Sequence, residues 1–437
     1  MLTIKYHSVS NVVFYIGYLL FFLMLFLSTS GQELKMALLA IVFIGIIARL
    51  FVRRGRLQLD RHILFFYILL ILIGVVGQLV GWYNNSPGYS QTYAVYVIYP
   101  FLYIFIIESI QSKDRLIALF KVMIIAGILI SVYILSYVLV MLGLLPDFLF
   151  VPLDLDQRVN FSGSYVELNI TSLVSLIYLF PFLCSIVFSK NYSSILTKRW
   201  LNITLISFLL VFFISIISGR RSLWVIMIFA VLMHFILTKI HSGKHNKSKS
   251  FLKNAFLTSC VGSLLMAVVF YFDISLMAIY ENILVGFDSG EDHGAGVRAE
   301  QFQSLMAGFY ESPLFGHGAG SSPDDMLQRL EPWAFELSYV ALLYHTGIVG
   351  MSVYGIFVAW LFYKGIKIIA SGSPYGLLMV PVLVATSSFL LANSVNPYLE
   401  KFDFIWTILL FPAVIINLHS IHVKEATPRM EPNHEVL

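Results

Sequence analysis

The sequence predicts an all-α polytopic integral membrane protein of about twelve transmembrane helices, with a large, partly helical loop on one face. Three observations carry that prediction. Hydrophobic residues make up 59% of the 437 residues and charged residues only 12%, about half the charged share of a soluble domain. Mean hydropathy is +0.84. Apolar runs recur along the whole chain at lengths of about 17–25 residues, each enough to cross a hydrocarbon core of ~30 Å.

In chain order the runs cover approximately 11–29, 35–51, 62–82, 92–109, 116–145, 171–188, 201–217, 222–240, 255–273, 337–363, 375–395 and 402–421. The fifth and tenth are longer than a bilayer needs and are expected to tilt or protrude. The first run lacks a small-x-small cleavage site and many spans follow it, so it reads as a retained helix. Cys184 and Cys260 lie inside apolar runs, without metal or disulfide spacing, and read as small buried hydrophobes. The net charge of +4 comes from basic residues in short loops, a topological signal and not a nucleic-acid one. With no internal repeat and no low-complexity linker, residues 1–437 read as a single membrane domain.

Lys and Arg set the orientation. With both termini on the cytoplasmic side, Arg53, Arg54, Arg56, Arg61, Lys113, Arg115, Lys198, Arg199 and the run Lys244 to Lys253 lie inside. Lys35, Arg158, Arg220, Arg221, Arg298, Arg329 and Lys401 lie outside, seven of the 28 basic residues, so the inside bias is three to one. The outer face then carries the two longest loops, roughly 146–170 and 274–336, and loops of that length are usually functional.

Against that bias, "SIISGRRSLWVIM" (215–227) puts Arg220 and Arg221 in a very short outer hairpin. An arginine near mid-membrane costs about 2.5–3.5 kcal/mol, less at the interface. Two readings stand: snorkelling to outer lipid phosphates, or a guanidinium fork aimed at an anionic ligand.

Within the large loop, "SLMAIYENILVGF" (275–287) has the spacing of a helix lying along the outer interface, and "DSGEDHGAG" (288–296) reads as a solvated acidic loop. From 297 a helix is expected, with Val297, Phe302, Leu305, Met306 and Phe309 on one apolar face. Arg298 and Gln301 stand on its first turn, and Pro313 ends it. "GHGAG" (316–320) is a tight turn. "SSPDD" then opens another helix, with Ser322 as N-cap, Pro323 at the first position and Asp325 completing a capping pair. Gly-rich turns before helix starts can hold phosphate. Here Asp324 and Asp325 already occupy the positive helix end, which favours plain capping, and His317 is a lone loop histidine facing either a ligand or the loop. Glu336 marks the outer mouth of the tenth span, in line with Tyr339, Leu343 and Gly347. A carboxylate there is a functional candidate or a helix-start acid favoured by the dipole. His345 lies ~13 Å deeper along the helix and reads as a packing residue.

These motifs together resemble the O-antigen polymerase and O-antigen ligase superfamily of bacterial envelope enzymes. "SGRRSLW" resembles its short outer hairpin, in which Arg221 best fits the family's arginine, with Arg220 beside it. Arg298 to Gly320 (R-x-x-x-x-x-x-L-x-x-G-F-x-x-S-P-L-F-G-H-G-x-G) resembles its arginine helix and "PLFGxG" turn. "ELSYVALLYHTGIVG" (336–350) resembles the helix that follows. The overlap covers about residues 200–365. Ligases of the superfamily usually begin the last motif with histidine. Glu336 stands there in this chain, which is closer to Wzy-type repeat-unit polymerases.

The resemblance implies a GT-C-like glycosyltransferase of the bacterial inner membrane, with its active site on the periplasmic face. Its donor and acceptor would be polyprenyl-pyrophosphate-linked oligosaccharides, with membrane lipid and a chain-length regulator protein as further partners and no nucleic acid. A pyrophosphate leaving group needs cations aimed at its developing charge. No carboxylate cluster with metal spacing lies in the outer loops, so no metal or other cofactor is expected and arginines would take the metal's place. Arg221 and Arg298 are the expected cations, supported by Arg220, with Glu336 as base for the acceptor hydroxyl. Gln301, His317 and Tyr339 are expected around the substrate, and Trp333, with Trp82 and Tyr83, could stack on sugars or anchor in the interface. Two alternatives remain: a ligase transferring finished glycan to lipid A-core, and a flippase for lipid-linked oligosaccharide, against which the lack of an internal repeat argues.

Overall fold

The structure is a computed structural model that describes residues 2–28, 30–52, 60–100, 112–150, 152, 158–162, 165–242, 293–327, 330–373 and 376–426. These residues are mostly helical. The helices are α1 (Leu2–Phe26), α2 (Gln32–Val52), α3 (Arg61–Tyr83), the short α4 (Tyr89–Tyr93) running into a π turn at Ala94–Ile98, α5 (Lys113–Met141), α6 (Leu173–Phe188), α7 (Lys198–Ile217), α8 (Arg221–Ser242), α9 (His293–Glu311), α10 (Ser338–Ala370), α11 (Gly376–Ala392) and α12 (Phe402–Ala426). Five of the described helices, α3, α5, α7, α8 and α10, are long and apolar enough to cross a membrane. Shorter apolar helices lie at Val12–Phe26, Leu173–Phe188, Gly376–Ala392 and Phe402–Leu418. The expected span 255–273, the interfacial helix at 275–287 and the end of the span 92–109 lie outside the described residues.

The centre of the bundle is the pair α6 and α11. Both are apolar all round, and nearly every residue of each is buried, as expected of a helix enclosed on every side. Tyr178 and Thr386 meet across the pair at 3.5 Å. Small and hydroxyl residues close neighbouring seams, where helices have no hydrophobic drive toward each other in lipid. Ser175 Oγ donates to Leu25 O at 2.7 Å and Ser207 Oγ to Ile124 O at 2.8 Å. Pro181 and Pro381 sit inside these helices; the carbonyl that Pro381 frees, Leu377 O, accepts from Tyr192 Oη at 2.5 Å, the kind of partner that lets a buried helix keep a proline.

One end of the bundle gathers the polar contacts. Lys35, at the start of α2, is fully buried, and its Nζ meets Asp403 Oδ1, at the start of α12, at 2.6 Å. Gln32 Nε2 donates to the other oxygen of Asp403 at 2.7 Å. Lys35 therefore ties two helices together instead of standing as one of the free outer charges.

Two expectations about the connections need correcting. The 146–170 segment holds a two-stranded antiparallel hairpin, β1 (Arg158–Ser162) and β2 (Tyr165–Asn169), in register Arg158 with Asn169. The tenth span does not run straight. α10 has 33 residues, but Gly347 sits at φ +64° and divides it into two helical pieces. Its first piece begins at Ser338, so Glu336 precedes the helix and does not share its face.

Candidate functional site

The break at Gly347 leaves carbonyls of the preceding turn without helical partners, and the turn after α9 supplies them. His317 N donates to Tyr344 O at 2.9 Å and Gly318 N to His345 O at 3.0 Å. In the other direction Ile348 N donates to Pro313 O at 2.9 Å and Val349 N to Leu314 O at 3.2 Å. The turn also docks on α3, through Ala319 N to Gly77 O at 2.8 Å. A joint made of backbone alone leaves no room for side chains. Gly318 has φ +93°, and a Cβ there would run into the Gly81 backbone. "GHGAG" is thus a dovetail between α3, α9 and α10. Its amides at 317–319 are already donated to carbonyls, so the turn offers no phosphate cradle.

The expected helix after it is absent. Asp324–Met326 form a single 3-10 turn whose N-cap is Pro323, without a side-chain cap. Ser322 Oγ instead donates to Pro332 O at 2.8 Å, and Asp325 accepts from Ser304 Oγ. Both side chains are drawn to the loop's own contacts, which removes the capping pair. The helix expected from 297 starts earlier, at His293, so the end of the expected acidic loop is helical and Arg298 and Gln301 lie past the first turn. Leu305 is buried as expected, packing with Met326, Phe335, Ala341 and Tyr344, but Phe302 is 50% exposed.

That loop packing brings three expected residues together. Arg298 Nε donates to Glu336 Oε2 at 2.8 Å, with the side chains 32% and 39% exposed: open enough to be reached, sheltered enough to hold a fixed geometry. Gln301 is buried, and its Oε1 accepts the backbone N–H of Glu336 at 2.8 Å. It fixes where the carboxylate starts from.

Arg220 joins the group from the hairpin between α7 and α8. Gly219, at φ +68°, turns the chain so that the guanidinium reaches back. Nε donates to Leu168 O at 3.2 Å and Nη2 to Asn169 Oδ1 at 2.6 Å. Leu168 N in turn donates to Ser218 O at 2.9 Å, so the end of β2 is stapled to the arginine hairpin. Arg221 is half-buried as the first residue of α8.

The residue at which these segments meet is Tyr398, in the turn between α11 and α12. Its buried phenol is hydrogen-bonded to Arg220 and lies in the fields of Glu336 and Arg298. Burial raises its pKa, and Arg220 opposes the rise. Ser338 Oγ donates to Asn396 O at 3.1 Å, clamping that turn to the start of α10. Two residues on, Glu400 is pushed up to about 8 by burial, against the pull of Lys401.

The other expected residues are engaged elsewhere. His317 contacts Gly308 O at 2.7 Å through Nε2, and its ring stacks on Tyr344 at 4.8 Å. Tyr339 Oη donates to Leu390 O at 2.7 Å. Trp333 packs its ring over Gly88. His345 is buried between Tyr96 Oη at 3.3 Å and Ser321 O at 3.1 Å, a packing residue. Among the described residues, no group of three or more His, Cys, Asp or Glu side chains is placed to hold a metal ion.

The arrangement is two guanidinium groups, a carboxylate and a phenol drawn from four separate segments, with the Arg298–Glu336 pair partly open. It can bind an anion and accept a proton beside it. Residues 206–354 match the family model described as O-antigen ligase. That match supports membership of the O-antigen ligase and polymerase superfamily, a group of glycosyltransferase-like enzymes that handle envelope glycans. The matched segment contains Arg220, Arg221, Arg298, Gln301 and Glu336, whereas Asn169, Tyr398 and Glu400 fall outside it. No curated protein matches the chain. Sequence reasoning missed Tyr398, Asn169 and Glu400. For Tyr398 and Glu400 the available signal is "NPYLEKFD" (396–403), which packs four ionisable residues between two apolar runs.

Proposed function

We propose that the protein is a polysaccharide repeat-unit polymerase, a metal-independent GT-C-like glycosyltransferase that extends a glycan from a polyprenyl-pyrophosphate-linked oligosaccharide at the periplasmic face of the bacterial inner membrane. The observation that carries this reading is the half-exposed Arg298–Glu336 pair, 2.8 Å apart, with Gln301 holding the Glu336 backbone. The donor pyrophosphate takes Arg298 and Arg220, with Arg221 beside them, since guanidinium groups match phosphate oxygens bidentately. Glu336, released from Arg298, accepts the proton of the acceptor sugar hydroxyl. The acceptor oxygen bonds to the donor's anomeric carbon as the bond from that carbon to the phosphate oxygen breaks. The electron pair leaves with the lipid pyrophosphate, whose charge the arginines stabilise, and Glu336 returns its proton to water. Gln301 acts through Glu336, His317 through the packing of its loop, and Tyr339 and Trp333 by shaping the walls on either side.

A ligase that transfers finished glycan to lipid A-core is the second reading, favoured by the description of the matched family itself. One experiment separates the readings: complementation of a deletion strain with wild type, Glu336→Gln or Arg298→Ala, followed by analysis of the glycans. A failed polymerase leaves single repeat units capped onto the acceptor, a failed ligase leaves long unattached chains, and a failed flippase leaves inner-face precursor. Long polysaccharide in cells making normal amounts of Glu336→Gln protein would remove Glu336 as the base.

A further inference from the structure

The two arginines of the candidate site are held in different ways. Arg298 is paired with a carboxylate, Glu336, at 2.8 Å. Arg220 is held by three neutral acceptors: Leu168 O at 3.2 Å from Nε, Asn169 Oδ1 at 2.6 Å from Nη2, and the Tyr398 phenol. A guanidinium has no acceptor, so the last bond runs from Arg220 to the tyrosine oxygen. Among the described residues no carboxylate forms an ion pair with Arg220. Glu336, whose field reaches the phenol, is committed to Arg298. Part of the Arg220 fork is therefore engaged, yet none of its charge is paired off.

The phenol is delivered by a fixed turn. Its ring has Phe389 and Phe404 as neighbours, with centroids 5.9 and 5.7 Å away. Asn393 Oδ1 accepts Leu399 N at 2.9 Å, and Ser338 Oγ donates to Asn396 O at 3.1 Å. The buried Lys35–Asp403 pair ties down the far end of the same turn. Burial raises the pKa of the phenol, so it stays protonated and neutral at neutral pH. A carboxylate in its place would hold Arg220 more tightly and cancel the charge that an anion needs. Asn169 presents the same choice on the other side. Its amide oxygen stands where an aspartate of nearly the same shape would make an ion pair.

We propose that Tyr398 and Asn169 are positioning residues: as neutral anchors they fix the Arg220 guanidinium without compensating its charge, and leave its remaining N–H groups to a phosphate oxygen of the lipid-linked donor. The proposal rests on the lipid-pyrophosphate substrate assigned above. Arg220 is then the standing anion site. Arg298 becomes one only when Glu336 lets it go, so the pyrophosphate engages Arg220 first.

The test measures binding of radiolabelled polyprenyl pyrophosphate to the full-length protein in nanodiscs. Tyr398→Phe keeps the ring and removes only the oxygen. It should weaken binding roughly tenfold, as the loss of one hydrogen bond to a charged group does, with an unchanged melting curve. In an Arg220→Gln background the same change should cost less than about twofold, because residues that act through one another are not additive. Asn169→Asp separates positioning from mere support. It should strengthen the hold on Arg220, leave the melting temperature equal or higher, and still weaken binding more than Asn169→Ala does. An anchor that only supports the fold gives the opposite order. If Tyr398→Phe does not fold, the two Asn169 variants, at an exposed position, decide the question. Wild-type affinity in Tyr398→Phe or in Asn169→Asp overturns the proposal. So does a loss in Tyr398→Phe that is equally large in the Arg220→Gln background. A wild type that does not bind polyprenyl pyrophosphate overturns the substrate reading and the anchors with it. Variants that match a wild type that does bind overturn the anchors alone.

Discussion

Glu400→Gln should make the protein more stable at neutral pH. Burial moves the carboxyl from 4.5 to about 8. In the unfolded chain it ionises near 4.5, so between these values the folded state holds one proton more than the unfolded state. Stability then falls as pH rises across that window and levels off above about 8. At 1.36 kcal/mol per pH unit, the gap up to pH 7 costs the fold about 3 kcal/mol, an upper figure because the residue is partly exposed. Glutamine matches the shape of the protonated acid and has nothing to ionise. Denaturant unfolding in detergent from pH 5 to 8.5 should show wild type losing stability with rising pH relative to Glu400→Gln. The difference should be under about 1 kcal/mol at pH 5 and approach 3 kcal/mol at pH 7. Two curves that stay parallel over the whole range would refute a neutral, buried carboxyl.

Lys35→Met should destabilise the protein by about 3–5 kcal/mol, because it strands a buried Asp403, while Lys35→Met with Asp403→Leu should recover much of that loss; unfolding curves of single and double variants test it. Gly318→Ala should cost more than about 1 kcal/mol, since the position combines a left-handed φ with backbone contact. Gly355→Ala, whose Cβ meets nothing within 4 Å, should gain up to about 1 kcal/mol from helix propensity, and melting temperatures read both. Arg220→Lys should lower polymer yield about tenfold at normal protein level. A lysine cannot hold Leu168 O and Asn169 Oδ1 together, and a lost charged hydrogen bond is worth about 1.5 kcal/mol or more.

The helices were legible because lipid imposes a long, one-dimensional signal: an apolar run of the right length has few other fates. The candidate residues Arg298, Gln301 and Glu336 were legible because each motif places unusual polarity at a helix end. What escaped is what depends on contacts distant in sequence. The bend at Gly347 exists only because "GHGAG" arrives to satisfy the opened carbonyls, and neither segment alone announces the other. Capping at Ser322 and Asp325 was a sound local reading that lost to Pro332 and Ser304, both brought in by the tertiary fold. Lys35 counted toward topology as an outer charge, but its partner lies 368 residues away in α12. Tyr398 by itself is a weak signal, since tyrosines at helix ends are common in membrane proteins; only the charged residues around it in "NPYLEKFD" set it apart.

On the polymerase reading, the resting Arg298–Glu336 pair also orders the reaction. A carboxylate engaged by a guanidinium at 2.8 Å has that oxygen committed to the pair. A pyrophosphate, carrying more charge and matching the guanidinium fork, competes for Arg298 better than a single carboxylate does. The donor's arrival thus frees the base, and only then does an acceptor hydroxyl find Glu336 available. Gln301 keeps the Glu336 backbone in place through this exchange, so the freed carboxylate swings from a fixed pivot. An acceptor that enters before the donor meets a carboxylate still paired with Arg298, so the exchange sets donor before acceptor.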